Sequence, residues 1–420
     1  MNSENSHNNM LNRPNGSKHS YTKYHSVLAA ILMLLPRVSA TYAIYTIVPI
    51  IISDFERRFA LIFFVLFASI FSIAIASFRF EVSPTASLLE FALTLPFFLG
   101  AFGARLRKSI DAIDFVRALN IGAMIASFIS LWNLGFPFRL PYLHYAPDYY
   151  YSFFGLGGAK IVTIIGFLGV YSELFFSKST SRKHPFWLLA SLLNFMLPSF
   201  LIGIVSGVVA LSLSAIRKPL IAFVTIVSTV AVAPYFLFRL ENLSGNLGSS
   251  LGLHPKIYQF KISLDYFTQD TLALVFGVGP GQFGGQAALW ASPAGDIISS
   301  FSRPSLPGLF AAEPHMSFLA PIMLQFASSP SALNSSFNKP YSSMSVMIVE
   351  YGLLFTILVF SAMAFRFVLG KHRSAKSISF FIFIMMLLMI DLQHDSPWFG
   401  LVVIIANTLI YSDRDKHEKR

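Results

Sequence analysis

The chain contains no cysteine, and only 12% of its 420 residues are charged. Without cysteine it forms no disulfide, binds no metal through thiolates and has no thiol nucleophile. Soluble domains carry about a quarter charged residues on average. The low charged fraction therefore excludes an ordinary soluble protein, and the apolar side chains must face something other than water.

Apolar residues are abundant: 55% of the chain is hydrophobic and 44 residues are Phe. They form long segments without strand-like alternation, and such segments satisfy their backbone hydrogen bonds in a bilayer only as helices. We therefore predict an all-α, polytopic integral membrane protein. Segments that approach the roughly 20 residues of a span are 59–78, 87–103, 114–131, 160–176, 219–238, 346–367, 378–390 and 398–411.

Two further apolar regions are too long for one span and contain proline. Residues 27–52 are interrupted by Pro36-Arg37, and residues 186–216 by Pro198-Ser199. Because proline removes a backbone donor and clashes with the preceding turn, we expect a tight helical hairpin in the first region. In the second we expect two short helices or a re-entrant hairpin. The total is then about twelve helices, with both termini in the cytoplasm.

The net charge of +11 is concentrated in short basic clusters between the apolar segments. Positive charge in short loops marks the cytoplasmic side, and the twelve-helix arrangement puts every cluster on that side. This distribution indicates contact with membrane lipids and excludes a nucleic-acid site. The clusters are Arg57-Arg58, residues 105–108, 178–183, 217–218 and 366–376, and the tail 414–420.

One long polar stretch interrupts the apolar pattern, and its acidic and basic residues nearly balance. The arrangement predicts a large loop at 239–345 on the non-cytoplasmic face. It follows transmembrane helices 1–9 in residues 25–238 and precedes helices 10–12 in residues 346–411. Cytoplasmic tails occupy 1–24 and 412–420.

Within this loop, residues 276–285 read Phe-Gly-Val-Gly-Pro-Gly-Gln-Phe-Gly-Gly. Glycines let a backbone adopt positive φ and approach a ligand closely. No strand precedes the motif and no Gly-Lys-Ser follows it, which excludes a nucleotide phosphate loop. A structural turn and a substrate-binding loop both stay open. For the second, the candidates are Gly277, Gly279, Gly281 and Gln282.

The order of these features resembles the bacterial O-antigen polymerase and O-antigen ligase superfamily. A late, long loop contains a glycine turn and closes with Glu350-Tyr351-Gly352-Leu353, similar to the acidic-x-Gly-Leu pattern of that family. The resemblance covers residues 199–367, and the glycine turn is its most specific part. It implies a glycosyltransferase C-like helical bundle in the bacterial inner membrane, with a large periplasmic loop.

Two departures from the family pattern favour a repeat-unit polymerase over a ligase. The position of the ligase histidine holds Tyr341, followed by Ser342, and the Ser-Arg dipeptide appears as Ser206-Gly207. A ligase that transfers glycan to lipid A-core is the alternative within the class. A transporter or flippase of lipid-linked sugars is the alternative from another class.

The resemblance implies glycosyl transfer from an undecaprenyl-pyrophosphate-linked oligosaccharide, without a cofactor, nucleotide sugar or metal. A chain-length regulator protein is an expected partner, and nucleic acid is not. Negative charge develops on the leaving pyrophosphate, and cationic side chains stabilise it. The candidates for this role are Arg239, Lys256, Arg303 and Arg139.

The acceptor is a sugar hydroxyl, which benefits from a general base. The candidates are His315, Glu313 and Glu350, while Tyr341 and Ser342 join the glycine turn as substrate-binding residues. A surface histidine and a helix-capping Glu350 are the alternatives. The polar cluster 391–395 reads Asp-Leu-Gln-His-Asp, and we expect it to form a solvated turn.

Overall fold

The computed structural model describes residues 16–35, 39–54, 58–133, 158–177, 185–198, 200–215, 270–292, 307–327, 342–369 and 374–418. This part of the chain is mostly helical, as the sequence predicts.

The helices are α1 (Gly16–Met33), α2 (Ser39–Ile52), α3 (Arg58–Ser77), α4 (Pro84–Ala101), α5 (Ala112–Asn133), α6 (Gly158–Phe175), α7 (Pro185–Met196), α8 (Leu201–Ala215), α9 (Thr271–Phe276), α10 (Gln286–Ala291), α11 (Ala320–Ala327), α12 (Ser343–Ala364), α13 (Ala375–Ile390) and α14 (Pro397–Glu418). A π-helical turn precedes α11 at His315–Leu319, and another follows α12 at Phe365–Leu369. Two short strands, β1 (Ser53–Asp54) and β2 (Arg105–Leu106), pair antiparallel.

Five of the described helices are long and apolar enough to cross a membrane: α3, α4, α5, α6 and α12 with its π-helical turn. The remaining apolar helices are shorter. Helix α3 exposes large apolar side chains such as Phe59, Phe63 and Phe67 on the outside of the bundle. An apolar outer surface is what a lipid environment requires, and the protein is an all-α membrane protein. The predicted span at 219–238 lies outside the described residues.

Both long apolar regions are divided where their prolines interrupt them. Helix α1 ends at Met33 and α2 begins at Ser39, on either side of Pro36. Helix α7 ends at Met196 and α8 begins at Leu201, after Pro198. The predicted division of each region at its proline is therefore confirmed.

Glycine brings α4 and α14 into close contact. A Cβ atom at Gly400 would lie 2.4 Å from the amide nitrogen of Phe97, and one at Gly100 would lie 2.9 Å from Cβ of Val403. Small residues at helix interfaces let backbones approach in membrane bundles. Asn407 adds a hydrogen bond, because its side-chain amide donates to the Gly100 carbonyl at 2.7 Å. This contact fixes α14 beside α4.

Helices α4, α12 and α14 run in the same direction. Near their first residues, Glu90, Glu350 and Asp395 approach the segment 281–287. Near their last residues, Arg366 contacts Gly103 and Tyr411. The bundle therefore has a glycine-turn end and a basic end, and the segment between β2 and α5 lies at the basic end.

Candidate functional site

Helix α9 leads directly into the glycine turn, residues 277–285. Asp270 caps α9, because its side chain accepts from the amides of Leu272 and Ala273, both at 3.1 Å. Gly277 ends the helix with a φ of 78°. Gly279 and Gly281 also have positive φ, 96° and 71°, a conformation that glycine alone adopts without strain. The whole turn is buried.

Helix α12 contacts the glycine turn at a kink. Gly352 is non-helical, with φ 79° and ψ 163°, inside this otherwise helical segment. The break leaves the carbonyls of Val349 and Glu350 free to accept from the amides of Val278 and Gly279, both at 2.9 Å. Backbone groups freed by a kink inside a membrane need such replacement partners. The glycine turn provides them.

The Glu350 carboxylate lies at the centre of the turn. Its Oε2 atom accepts from the Gly281 amide at 2.8 Å. Its Oε1 atom accepts from the amides of Phe283 at 3.1 Å, Gly284 at 2.9 Å and Gly285 at 2.8 Å. Successive backbone N–H groups that point at one anion form a nest. Glu350 therefore holds the turn in shape with a buried acceptor group.

Helix α12 has its own cap, and it is not Glu350. The side chain of Ser342 accepts from the Ser345 amide, and the side chain of Ser345 accepts from the Ser342 amide, which together make a capping box. The capping alternative for Glu350 is therefore wrong. Ser342, a predicted substrate-binding residue, acts as this helix cap.

Gln282 ties the turn to the start of α4. Its side-chain oxygen accepts from the Ser83 amide at 2.7 Å. Its Nε2 atom donates to the Ser83 carbonyl at 2.9 Å, to Ser87 Oγ at 2.7 Å and to the Pro280 carbonyl at 3.2 Å. Ser87 Oγ in turn donates to the Pro280 carbonyl at 2.7 Å. A buried amide with this many partners positions the backbone around it.

Two more carboxylates reach the end of the turn. Glu90 of α4 accepts from the Ala287 amide at 2.9 Å, and Asp395 accepts from the Gln286 amide at 2.8 Å. Gly285 leaves room for Glu90, because a Cβ atom there would lie 2.5 Å from Cδ of Glu90. The other oxygen of Glu90, Oε1, is buried and has no hydrogen-bond partner in the described part of the chain.

Burial also shifts the ionisation of the loop between α13 and α14. It raises the pKa of Asp395 to about 7, with the negative charge of Glu350 adding to the effect and the Gln286 amide opposing it. Burial lowers the pKa of the neighbouring His394 to about 3. The histidine is therefore neutral near pH 7, where Asp395 titrates.

His315 is buried beside the glycine turn, in the π-helical turn that precedes α11. Its Nδ1 atom lies 2.5 Å from the Phe283 carbonyl. Because a carbonyl only accepts, Nδ1 carries a proton, and in the neutral ring Nε2 then carries the lone pair. Burial lowers the pKa of His315 and so favours the neutral ring. The Nε2 atom is buried and has no partner among the described residues. A neutral imidazole oriented in this way is the form that accepts a proton.

Glu313 fastens the segment before His315 to the turn that follows α3. Its carboxylate accepts from the Glu81 amide at 3.1 Å, and its own amide donates to the Glu81 carbonyl at 3.0 Å. The side chain is exposed. Nearby, the hydroxyl of Thr85 donates to the Pro307 carbonyl at 3.0 Å. Glu313 therefore anchors this segment at the surface.

Of the residues selected from the sequence, the structure brings one group together at the glycine-turn end: Gly277, Gly279, Gly281, Gln282, His315 and Glu350. The predicted pyrophosphate ligands Arg239, Lys256, Arg303 and Arg139 lie outside the described residues, as does Tyr341. Their roles stay predictions.

Glu90 was not predicted from the sequence as a site residue. It is a single carboxylate inside an apolar segment, and ionisable residues in such segments are rare and mark functional or structural sites. That position was the available indication. What it could not reveal is the partner, because Ala287 is 197 positions away along the chain.

The expectation of a solvated turn at 391–395 is wrong. Asp391, Gln393, His394 and Asp395 are all buried. Asp391 forms an ion pair with Lys160 of α6 at 2.6 Å, and the amides of Gln393 and His394 donate to Ser343 Oγ. The prediction of a solvated turn rested on the polar composition of these residues. The contacts instead bury the turn between α6 and α12.

Among the described residues, no group of three or more His, Asp or Glu side chains is arranged to hold a metal ion. Comparison with family models, with curated proteins and with solved structures returned no match for this chain.

Proposed function

We propose that the chain is a polysaccharide repeat-unit polymerase of about twelve spans in a bacterial inner membrane. The observation that supports this proposal best is the contact between the two motifs on which the family resemblance rests. The glycine turn surrounds the carboxylate of Glu350, which belongs to the Glu-Tyr-Gly-Leu pattern. Motifs far apart in the chain therefore form one unit, and His315 adjoins it through Phe283.

In this proposal, a hydroxyl oxygen of the acceptor sugar attacks the anomeric carbon of the donor glycan. The bond from that carbon to the lipid pyrophosphate breaks, and the pyrophosphate leaves with the bonding electrons. The hydroxyl proton passes to Nε2 of His315, the unpartnered nitrogen of the imidazole. Because the nitrogen is buried, substrate entry requires the covering segments to move.

Charge on the leaving pyrophosphate needs cations near the reaction centre. Arg239, Lys256, Arg303 and Arg139 are the proposed ligands, on the periplasmic side of the membrane. The glycine turn gives the site a fixed backbone, and the carboxylates around it are hydrogen-bond acceptors. Sugar hydroxyl groups donate hydrogen bonds to acceptors of this kind. No cofactor takes part in the proposed reaction.

The test deletes the gene in its host and restores it as wild type, Arg239→Ala, His315→Gln or Lys261→Ala. The surface glycan is then separated by size. We expect the deletion to leave single repeat units, and Arg239→Ala and His315→Gln to restore no ladder. Lys261→Ala, which removes another loop cation, should restore it. Western blots should show equal protein levels.

Two other results would reject the proposal. Long lipid-linked polymer that accumulates without reaching lipid A-core indicates the ligase. A normal ladder in the deletion strain excludes both transferases from this pathway and favours transport of a lipid-linked sugar.

A further inference from the structure

The basic end of the bundle contains two guanidinium groups that converge on the ring of one tyrosine, Tyr411. Arg105 of β2 stacks on the ring of Tyr411, with its Cζ atom 3.0 Å from the ring centroid. Arg366, in the π-helical turn after α12, lies over the same ring at 5.7 Å. Within the described ranges, neither guanidinium forms an ion pair.

Arg366 is incompletely satisfied by the protein. Its Nη2 atom donates to the Gly103 carbonyl at 3.3 Å, a long hydrogen bond. Its Nε atom is buried and has no partner in the described part of the chain. A buried donor without an acceptor is costly, so a ligand that accepts hydrogen bonds would stabilise this group.

Gly103 holds Arg366 in position. It has a φ of 102°, and a Cβ atom there would lie 1.8 Å from Cζ of Arg366. The guanidinium therefore occupies the space in which any other residue would have a side chain. This close packing fixes the fork of Arg366 on the side of the bundle where Arg105 lies.

We propose that Arg105 and Arg366 bind a phosphate group at the end of α4, α12 and α14. Guanidinium groups match the oxygens of a phosphate in pairs, and two like charges held together become favourable when an anion lies between them. Basic sites between membrane helices bind anionic headgroups in this way. The phosphate is either that of a lipid headgroup or a free phosphate ion.

This site is separate from the glycine turn and independent of the proposed function. Gly103 follows the last residues of α4, whereas the glycine turn contacts its first residues. Arg107 and Lys108 continue the positive charge and are exposed. A lipid that occupies the site would therefore join the ends of three helices.

The first experiment measures the apparent melting temperature of the purified full chain in an uncharged detergent. Intrinsic tryptophan fluorescence gives the readout, and the additions are phosphatidylglycerol, phosphatidylcholine and inorganic phosphate at equal phosphorus concentration. A ligand that binds only the folded state raises the melting temperature. We expect phosphatidylglycerol to raise it and phosphatidylcholine not to. A comparable rise with inorganic phosphate also supports the site and identifies free phosphate as a ligand.

Variants then distinguish a specific phosphate site from non-specific attraction of anions to the positive charge of this surface. Arg366→Gln and Arg105→Gln should weaken the effect about tenfold in ligand concentration. Lys108→Gln removes the same charge from an exposed neighbour and should change it by less than about twofold. Gly103→Ala removes no charge but displaces Arg366, and it should resemble Arg366→Gln.

The proposal is overturned if neither phosphatidylglycerol nor inorganic phosphate stabilises the wild-type protein. It is overturned equally if Lys108→Gln weakens the effect as much as Arg366→Gln, because net charge alone then explains it. Should Gly103→Ala fail to fold, the comparison of Arg105→Gln with Lys108→Gln decides the matter.

Discussion

Gly277 and Gly352 lie backbone against backbone, and neither position has room for a side chain. A Cβ atom on Gly277 would lie 2.6 Å from the amide nitrogen of Gly352, and one on Gly352 would lie 2.6 Å from that of Gly277. Both residues have positive φ, 78° and 79°. This contact brings the kink of α12 against the glycine turn.

Replacing Gly352 with alanine should therefore destabilise the fold. The positive φ alone costs about 1–3 kcal/mol, and the new methyl group overlaps the Val275 carbonyl, 2.3 Å from the Cβ position. We expect a lower apparent melting temperature in detergent. Leu354→Ala, on the exposed side of the same helix, is the control and should change it little. Equal effects of the two variants would contradict the packing argument.

Glu350→Gln tests the carboxylate nest without a change in size. The side-chain amide of Gln places an NH2 group where one carboxylate oxygen accepts, so at least one backbone donor of the turn loses its partner. An unsatisfied buried donor costs about 1–3 kcal/mol. The apparent melting temperature should fall accordingly. Glu313→Gln is the control, because the exposed carboxylate of Glu313 accepts from the Glu81 amide alone among the described residues. Its apparent melting temperature should fall much less.

The pH dependence of stability should reveal Asp395. Burial raises its pKa to about 7 from the ordinary value of 3.8. Between these values the folded state binds more protons than the unfolded state, so the contribution of this group to stability falls as pH rises. Asp395→Asn removes that dependence. The melting temperature of the variant relative to wild type should therefore increase from pH 5 to pH 8.

His394 acts in the opposite sense, because its pKa is lowered to about 3. Its contribution is present above about pH 6.5 and is lost as pH falls towards 3. It is the same in wild type and Asp395→Asn, so the difference between the two proteins isolates the carboxyl group. Asp54→Asn, at an exposed position, is the matched control. A pH-independent difference for Asp395→Asn would show that Asp395 is ionised across this range.

Orientation in the membrane can be tested with single cysteines, because the natural chain has none. Ser77 and Ser109 are exposed and lie before and after α4. The positive-inside distribution predicts that a small impermeant maleimide labels Ser77→Cys from outside intact cells and leaves Ser109→Cys unlabelled. Both should react once the membrane is disrupted. Labelling of Ser109→Cys alone would reverse the topology.

The helical class followed from composition, because a chain this poor in charge cannot cover its surface against water. The divisions at Pro36 and Pro198 also followed from the sequence, since proline acts on its own backbone and the preceding turn. These are local effects. They require no knowledge of what packs nearby.

The surroundings of the polar residues could not be predicted from the sequence. Asp391 to Asp395 has the composition of a solvated turn, yet the ion pair with Lys160 and the contacts with Ser343 bury it. Glu350 was a candidate base from its motif, but four amides from residues 281–285 occupy its oxygens. Partners so far apart in sequence leave no local pattern.

The sequence by itself determined the membrane class, the divisions at the two prolines and the position of the glycine turn, because hydropathy, proline and glycine act over a few residues. Only the tertiary structure decided that Glu90, Glu350 and Asp395 meet at that turn and that Arg105 and Arg366 meet at the other end. The physical reason is the parallel course of α4, α12 and α14. It aligns their first residues at one end of the bundle and their last residues at the other, whatever separates them along the chain.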